Sequence, residues 1–126
     1  MKKELVIKKC SKCGALVKII NYCNCDDCGI KCCNEKMITV KSNSVDAAVE
    51  KHVPAYELND NDVVVTVNHV MDEDHYIEWI CLVNDEKEEF YYLKPGASAT
   101  VIFKDVKEGK LYSYCNKHGL WENEIK

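Results

Sequence analysis

The sequence predicts an all-β protein in which a small cysteine-rich metal domain precedes an antiparallel β-sandwich or barrel. Seven of the nine cysteines lie within the first 33 residues. From residue 62 onward, short β-prone segments alternate with turn residues, a pattern typical of sandwiches and barrels. Charge divides the chain in the same way, with +5 on residues 1–41 and −9 on residues 42–126. We therefore place a metal domain at 1–37, a linker at 38–43 and the sandwich at 44–126.

Length and charge exclude several classes of protein. A chain of 126 residues can form one ordinary domain, or a small sandwich with an appendage, but no large two-lobed enzyme. All 17 basic residues are lysines, against 21 acids, whereas nucleic-acid binders expose basic surfaces rich in arginine. The apolar runs are far shorter than the about 20 residues of a membrane span, and no export signal is visible. We expect a soluble, cytoplasmic protein that binds neither nucleic acid nor membranes.

The first cysteines predict a metal site. Chains below about 40 residues usually need metals, disulfides or oligomerisation to stay folded. An odd number of cysteines without an export signal suits a reducing compartment, where thiols bind metals. Cys10-x2-Cys13 is a typical half of a four-thiolate site, and Cys32-Cys33 is its expected partner. Adjacent cysteines do not fit the relaxed loop of a two-residue spacer, so we expect a distorted tetrahedron, which iron favours and zinc tolerates.

Three further cysteines lie in the long loop between these half-sites. Cys25-x2-Cys28 is itself a respectable half-site, and its pairing with Cys10 and Cys13 stays open as an alternative. We favour the simpler interpretation, an inserted loop with spare thiols, because an exposed cysteine needs no function although it oxidises readily. The thiols so interpreted are those of Cys23, Cys25 and Cys28.

Five segments are predicted to be strands from their β-prone residues and flanking turn signals. They cover residues 63–70, 76–83, 89–93, 98–104 and 110–114. In the second segment Ile77, Trp79 and Cys81 alternate and should share one face, which makes Cys81 an inert core thiol. Residues 44–51 favour a short helix, which Pro54 limits to about one or two turns.

The second group of candidate ligands contains every histidine of the chain. A lone histidine in a β domain is more often a structural residue than a ligand, but here every histidine lies at a strand end or in a loop. His52 lies in the segment 50–54, and His69 and His75 flank the acidic turn at residues 71–74. Cys115-x2-His118 places a thiol and an imidazole in one loop. Four imidazoles and one thiolate exceed the four ligands of structural zinc. Five ligands leave one octahedral position open, and a thiolate opposite that position suits iron chemistry at oxygen species, because it pushes electron density toward the bound molecule.

These motifs resemble those of the desulfoferrodoxin and superoxide reductase family over almost the whole chain. The matching segments are Cys10-x2-Cys13, Cys32-Cys33, Val45-Asp46-Ala47-Ala48, Glu50-Lys51-His52-Val53-Pro54, His69, His75-Tyr76-Ile77-Glu78-Trp79-Ile80 and Cys115-x2-His118-Gly119. The resemblance implies a desulforedoxin-like domain with an iron centre, followed by an immunoglobulin-like β-sandwich with a catalytic iron. It implies these ligands: Cys10, Cys13, Cys32 and Cys33 for the first centre, and equatorial His52, His69, His75 and His118 with axial Cys115 for the second. The loop between the two cysteine pairs looks longer than is usual in the family.

The resemblance implies an oxidoreductase that reduces superoxide by one electron to hydrogen peroxide and so detoxifies an oxidant. It further implies electron transport from a rubredoxin-like donor, and a homodimer. Because the acidic region should repel the superoxide anion, the site needs a local positive potential. We expect Lys51 to supply it beside the iron and to help deliver protons, and Glu50 to occupy the open position in the resting ferric state.

Two other functions stay open from the sequence. The first is a non-catalytic module in which iron or zinc serves electron transfer or structure and the histidine set is coincidental. The second keeps the iron but uses it to store iron or to sense oxidants, without rapid turnover. Metal content and visible spectra distinguish these functions from an enzyme.

Overall fold

The structure, a computed structural model, describes residues 4–21, 23–24, 29–44 and 51–126. These residues divide into two compact units, Leu5–Lys41 and Ser42–Lys126, the second together with Glu4. The elements that the described residues form in both units are β-strands, all paired antiparallel, which confirms the predicted all-β class. In the described ranges, no helix has the length and apolar character needed to cross a membrane.

The first unit contains a three-stranded sheet and a separate hairpin. The sheet has the order β2-β1-β5, and the hairpin joins β3 to β4. Their bounds are β1 (Ile7–Lys9), β2 (Leu16–Lys18), β3 (Lys31–Cys32), β4 (Glu35–Lys36) and β5 (Ile38–Thr39). The linker predicted at 38–43 therefore begins inside a strand, because Ile38 and Thr39 pair with Lys9 and Lys8.

The second unit is built from two antiparallel sheets. One has the order β10-β7-β6 and the other the order β12-β11-β8-β9. Their bounds are β6 (Ala55–Asn59), β7 (Asp62–Thr66), β8 (Ile77–Val83), β9 (Glu88–Tyr92), β10 (Thr100–Phe103), β11 (Gly109–Cys115) and β12 (Gly119–Ile125). One cluster of thirteen buried residues draws members from both sheets, including Val63, Phe103, Ile80 and Leu111. Such shared burial holds two sheets face to face.

The five predicted strands correspond to β7 through β11, with shifted ends. The largest shift is at β7, which ends at Thr66 although β-prone residues continue to residue 70. There the backbone turns away, and the amide of His69 donates to the carbonyl of Val67. Sequence patterns missed β6 and β12. Four of the five β6 residues are exposed, and β12 carries Glu122 and Glu124, so neither looks like a buried strand. The helix predicted at 44–51 falls mainly on residues 45–50, outside the described residues.

A β-bulge interrupts the pairing of β8 with β11. Tyr114 pairs with Trp79, but the next residue, Cys115, pairs with Ile77, so Glu78 is an extra residue in β8. Ile77 consequently joins the core cluster together with Ile80 and Leu82. The prediction that Ile77 shares a face with Trp79 and Cys81 is therefore wrong, because the bulge breaks the two-residue period. Cys81 is fully buried, but on the face opposite the core cluster.

Candidate metal centres

The first candidate centre gathers the sulfurs of Cys10, Cys13, Cys32 and Cys33. All four lie within 4.8 Å of one another. The Sγ atoms of Cys13 and Cys32 are 3.6 Å apart, and those of Cys32 and Cys33 are 4.0 Å apart. A tetrahedral ion with bonds of about 2.3 Å separates its sulfurs by roughly 3.8 Å, so the arrangement fits a bound metal.

Two turns bring these sulfurs together. Cys10 and Cys13 lie in the turn after β1. Gly14 closes this turn with a φ of 80°, and its backbone amide donates a hydrogen bond to the carbonyl of Cys10. Cys33 and Asn34 form the two-residue turn of the β3–β4 hairpin, with φ values of 53° and 62°. Positive φ at both central residues is typical of a type I′ turn. The positive φ values let the adjacent Cys32 and Cys33 direct their sulfurs to the same site, and the Cys13–Cys32 and Cys32–Cys33 separations are close to the tetrahedral value.

Hydrogen bonds distribute negative charge unevenly among the four thiols. The backbone amides of Cys13 and Lys12 donate to the Cys10 sulfur and lower the pKa of Cys10 to about 6. Hydrogen bonds between the Cys32 sulfur and the sulfurs of Cys13 and Cys10 raise the pKa of Cys32 to about 12. The pKa of Cys33 is also raised, first by its hydrogen bond with Cys13. The metal-free cluster therefore favours one thiolate, at Cys10, that accepts hydrogen bonds from its neighbours. Binding of a metal cation would displace the protons of the other thiols.

The second candidate centre gathers His52, His69, His75, His118 and Cys115. Their donor atoms all lie within 4.8 Å of one another. Nε2 of His52 is 3.1 Å from Nδ1 of His118, and the Cys115 sulfur is 3.4 Å from Nε2 of His69 and 3.8 Å from Nδ1 of His118. Neighbouring nitrogens on one ion with bonds of about 2.1 Å would be roughly 3.0 Å apart, close to the first of these distances.

One orphaned atom supports the fit of a metal ion. Nε2 of His75 is buried and has no hydrogen-bond partner. Buried polar atoms in native structures are nearly always paired, so this nitrogen points to a ligand. His69 uses Nδ1 to donate to the carbonyl of Val70, which leaves its Nε2 as the electron-pair donor. The donor set therefore fits a transition metal held by four imidazoles and one thiolate.

The two ends of this centre differ in exposure. Cys115 is fully buried at the end of β11, and His52 is 4% exposed. The other three histidines are half-buried. Burial lowers the pKa of His69 and of His118, and each is lowered further by positive charge on neighbouring histidines. Neutral imidazole, the metal-binding form, is therefore favoured at both positions.

Sequence reasoning missed Asn116, which clamps the loop that carries His75. Its Oδ1 accepts from the amide of Tyr76 at 3.0 Å, and its Nδ2 donates to the carbonyl of Asp74 at 3.0 Å. Its backbone amide also donates to the carbonyl of Tyr76, at 3.2 Å. These bonds flank His75 on both sides and join its loop to the Cys115 loop. An asparagine next to a cysteine carries no sequence pattern that would have revealed this role.

Trp121 and Ser113 hold two other ligands and were missed as well. The Trp121 ring stacks on the His52 ring, with centroids 4.8 Å apart and planes inclined by 24°. The indole N–H donates to the carbonyl of His118 at 3.2 Å. The buried Ser113 hydroxyl donates to the carbonyl of His52 at 2.6 Å. Such outer contacts fix the orientation of metal ligands.

The remaining predicted residues lie partly outside the described residues. Lys51 is exposed and immediately precedes His52. Glu50 lies outside the described residues, as do Cys25 and Cys28 of the inserted loop. Cys23 is half-buried. No described atom tests whether these three loop thiols are spare, so that interpretation stays a prediction.

Comparison with known proteins places this arrangement in a family. The family model described as Desulfoferrodoxin matches residues 44–124. The chain is 39% identical to the desulfoferrodoxin of Desulfarculus baarsii, with 98% of this chain and 99% of the relative aligned. The chain belongs to the desulfoferrodoxin family. This membership confirms the resemblance found in the sequence.

Solved structures agree with the family assignment. The superoxide reductase of Treponema pallidum matches with a TM-score of 0.73 and 28% identity, covering 96% of this chain and 99% of its own. A superoxide reductase of Giardia intestinalis, designated 1Fe-SOR, matches with a TM-score of 0.54 and 31% identity, covering 61% of this chain and 98% of its own. The desulfoferrodoxin fold of this chain is therefore shared with proteins named for the reduction of superoxide.

Proposed function

We propose that this desulfoferrodoxin reduces superoxide by one electron to hydrogen peroxide at an iron ion held by His52, His69, His75, His118 and Cys115. The chain is a superoxide reductase with iron as its cofactor. The observation that carries the ligand assignment is the convergence of five donor atoms within 4.8 Å, one of them the orphaned Nε2 of His75. Five ligands of this chemistry leave room for a small anion.

Iron bound by this set supplies a one-electron couple and an open position at which superoxide can bind. The protein residues determine where that position lies. Cys115 is the most deeply buried donor, whereas His69, His75 and His118 are half-buried. A small anion would therefore reach a bound metal from the side of these three histidines, which faces solvent more than Cys115 does. Because Cys115 is fully buried, its sulfur would be shielded from water when it holds the metal, and the thiolate would donate charge to the ion.

We assign Lys51 to the steering of superoxide. The sandwich region carries −9, so a diffusing anion meets net repulsion there. The exposed Lys51 ammonium next to His52 would raise the local potential at the open side. The same ammonium can hand a proton to the reduced oxygen species, directly or through one water molecule, which would assist its departure as hydrogen peroxide.

Glu50 is proposed to occupy the open position while the oxidised enzyme rests. A carboxylate is a hard oxygen ligand that suits the ferric state better than the ferrous state. Its place in the sequence, two residues before His52, supports this role. If Glu50 stays out of the site, it is an ordinary surface acid and its replacement will leave the resting spectrum unchanged.

The four-thiol cluster is proposed to hold a second iron. Its sulfur separations suit any tetrahedral thiolate metal, and zinc is the alternative. In either case the metal would hold the small first unit together. If iron is present, the cluster can also pass electrons toward the catalytic site.

Other parts of the proposal concern the cellular setting. A rubredoxin-like protein is proposed as the electron donor, because reduction without dismutation requires an external source of electrons. A homodimer, a cytoplasmic location and a role against oxidative stress are proposed with it. The thiol-rich, disulfide-free character of the described cysteines supports a reducing compartment.

Metal analysis of the purified protein with visible spectra in both redox states tests the function. Two irons per chain with thiolate-to-iron charge transfer support both centres, and one iron supports the enzyme with a silent first unit. Zinc alone, or slow reaction with superoxide in pulse radiolysis, would overturn the proposal in favour of a binding module, an iron store or a sensor.

A pair of cysteine variants sharpens this test. Cys115→Ser should remove the charge-transfer band of the catalytic site and most of the superoxide reactivity. Cys81→Ala is the matched control, since Cys81 is equally buried but lies outside both clusters. If both variants behave alike, the assignment of Cys115 as a ligand is wrong.

A further inference from the structure

A row of aromatic rings crosses the four-stranded sheet on the face opposite the core cluster. Tyr114 stacks on Trp79, with centroids 5.4 Å apart and planes inclined by 9°. Trp79 meets the edge of Phe90 at 5.2 Å, and Phe90 stacks on Tyr92 at 6.1 Å. The register places Trp79 directly opposite both Tyr114 on β11 and Tyr92 on β9. The rings therefore form one continuous row across three strands.

The two ends of this row lie in different surroundings. Tyr114 is 3% exposed and is one peptide bond from Cys115, the proposed axial ligand. Trp79 is 7% exposed, whereas Tyr92 is 78% exposed on the edge strand β9. Hydrophobic burial explains the inner rings, but an aromatic side chain this exposed contributes little burial. The row thus runs from Tyr114, the neighbour of a proposed ligand, to solvent.

Tyrosine and tryptophan lose an electron more readily than most side chains. Electron transfer from Tyr92 to its cross-strand partner Trp79, and from Trp79 to the stacked Tyr114, would move an electron toward the metal and leave the oxidised site at the surface. Phenylalanine is too hard to oxidise to act as a stop, and Phe90 instead packs against both rings, 5.2 Å from Trp79 and 6.1 Å from Tyr92. At the surface, Tyr92 can release its phenolic proton to water.

We propose that this row protects the site from its own product, an inference that rests on the proposed iron-dependent function. Hydrogen peroxide that reacts with ferrous iron before it leaves must take up two electrons and two protons to form two water molecules. Ferrous iron supplies one electron and becomes ferric. Tyr92 supplies the other through Trp79 and Tyr114 and becomes a neutral tyrosyl radical. Its phenolic proton is one of the two consumed, and solvent provides the second.

Without this route, the second electron would come from a group nearer the metal. The Cys115 thiolate is the most oxidisable of these, and oxidation beyond the sulfenic acid destroys it as a ligand. Trp121, which stacks on His52, is another nearby donor. The row moves the damage to an exposed side chain that an external reductant can restore.

The test uses the iron-loaded protein, reduced, freed of reductant and mixed without air with hydrogen peroxide equimolar to the iron. Oxidised residues are then mapped by mass spectrometry. We expect Tyr92 to be the main oxidised residue and Tyr91 to be spared. Tyr91 is the neighbouring control, 36% exposed but on the opposite face, where its hydroxyl donates to the carbonyl of Ile102.

Exposure alone could favour Tyr92, so a second sample measures that effect. Protein loaded with zinc receives peroxide and an iron–EDTA complex, which produces oxidants in solution. The ratio of Tyr92 to Tyr91 oxidation should be several-fold higher when the oxidant arises at the bound iron. Equal ratios in the two samples would overturn the proposal.

Two variants test the route. Trp79→Phe keeps a ring in place but removes the middle stop, and should lower Tyr92 oxidation several-fold while raising that of Cys115. Tyr92→Phe, at an exposed position, should leave folding intact and shift oxidation inward. Unchanged Tyr92 oxidation in Trp79→Phe, or oxidation mainly at Trp121 in the unaltered protein, would overturn the inference.

The superoxide rate and the iron absorption of the same samples separate the two proposals. If iron binds and superoxide is reduced while tyrosine oxidation follows exposure, the row is only packing. If iron does not bind or superoxide is not reduced, the proposed function itself fails.

Discussion

The two candidate centres are assembled in opposite ways. The four-thiol cluster comes from two tight turns, and two of its residues, Cys13 and Cys33, are exposed. The five-donor cluster joins residues from distant parts of the chain, with His52 and His118 in direct contact across 66 positions. The first centre lies near the protein surface, whereas the second includes Cys115, a member of the sandwich core cluster. The comparison indicates that metal and fold depend on each other differently in the two units.

Buried apolar surface is the physical basis of this difference. In the described part of the first unit, only four apolar side chains are buried, those of Leu5, Ile7, Cys10 and Met37. The sandwich has a cluster of thirteen buried residues. A small unit with so little core must obtain its folding free energy from metal binding. The sandwich can fold first and bind its metal afterwards.

Complete metal removal should therefore have the largest effect on the first unit. Structural metal sites in small peptides supply roughly 10–16 kcal/mol. After chelation under reducing conditions, amide hydrogen exchange should show loss of protection across Leu5–Lys41, while β7, β8 and β11 stay protected. Restoring zinc or iron is the control and should bring the protection back. A first unit that stays protected without metal would remove the contrast between the two centres.

Asn116→Ala should weaken the second centre without unfolding it. The change removes two side-chain hydrogen bonds that flank His75, and loss of such outer contacts costs about 10- to 100-fold in metal affinity or activity. Competition with a chelator measures the affinity, and the charge-transfer band reports the geometry.

Asn84→Ala is the matched control for this variant. The Asn84 side chain likewise holds a turn, with three hydrogen bonds against the two of Asn116: it accepts from the amides of Glu86 and Lys87 and donates to the carbonyl of Glu108. It should lower stability by a similar amount and leave iron affinity unchanged. Equal losses of affinity in both variants would mean that Asn116 acts only through general stability.

Lys51→Ala should slow the bimolecular reaction with superoxide and flatten its dependence on ionic strength. Removal of a steering charge lowers the association rate constant by on the order of 10-fold at low salt. Pulse radiolysis over a range of salt concentrations measures both quantities. Lys107→Ala changes net charge equally at the far end of β11 and should leave the rate unchanged. An unchanged rate in Lys51→Ala would count against the steering role.

The smallest expected effect is a pH dependence at Lys110. Its ammonium donates to Glu4 at 2.6 Å, and this bond, with the charge of Glu122 nearby, raises the pKa of Lys110. A raised lysine pKa stabilises the fold fully below the ordinary lysine value of 10.5 and loses that contribution as pH rises through the folded value. With Glu4 largely exposed, we expect about 1 kcal/mol or less.

Urea unfolding of the unaltered protein and Glu4→Gln at neutral and strongly alkaline pH measures this contribution. The two proteins should differ at neutral pH and converge above the lysine pKa. A difference that persists or grows at high pH would contradict the assignment to Lys110.

Much of both centres could be predicted from the sequence, because histidine and cysteine are scarce enough for their positions to carry information. All four histidines and Cys115 meet in one cluster, as predicted. Asn116, Ser113 and Trp121 could not be predicted, since their roles depend on which loops face each other. Ile77 was placed on the wrong face for a similar reason, because the bulge at Glu78 is set by pairing with β11 and leaves no local signal.

At Glu78, the regular pairing of β8 with β11 is interrupted close to the residues of the candidate metal centre. Deleting Glu78 would restore an unbroken ladder with Ile77 still opposite Cys115, yet it would remove the bend and extra twist that a bulge gives a strand and so redirect the loop that carries His75. A laboratory selection for thermal stability alone would reward that deletion and silence the enzyme. Engineering for higher thermal stability should therefore keep the bulge at Glu78 and introduce stabilising substitutions elsewhere on the sandwich.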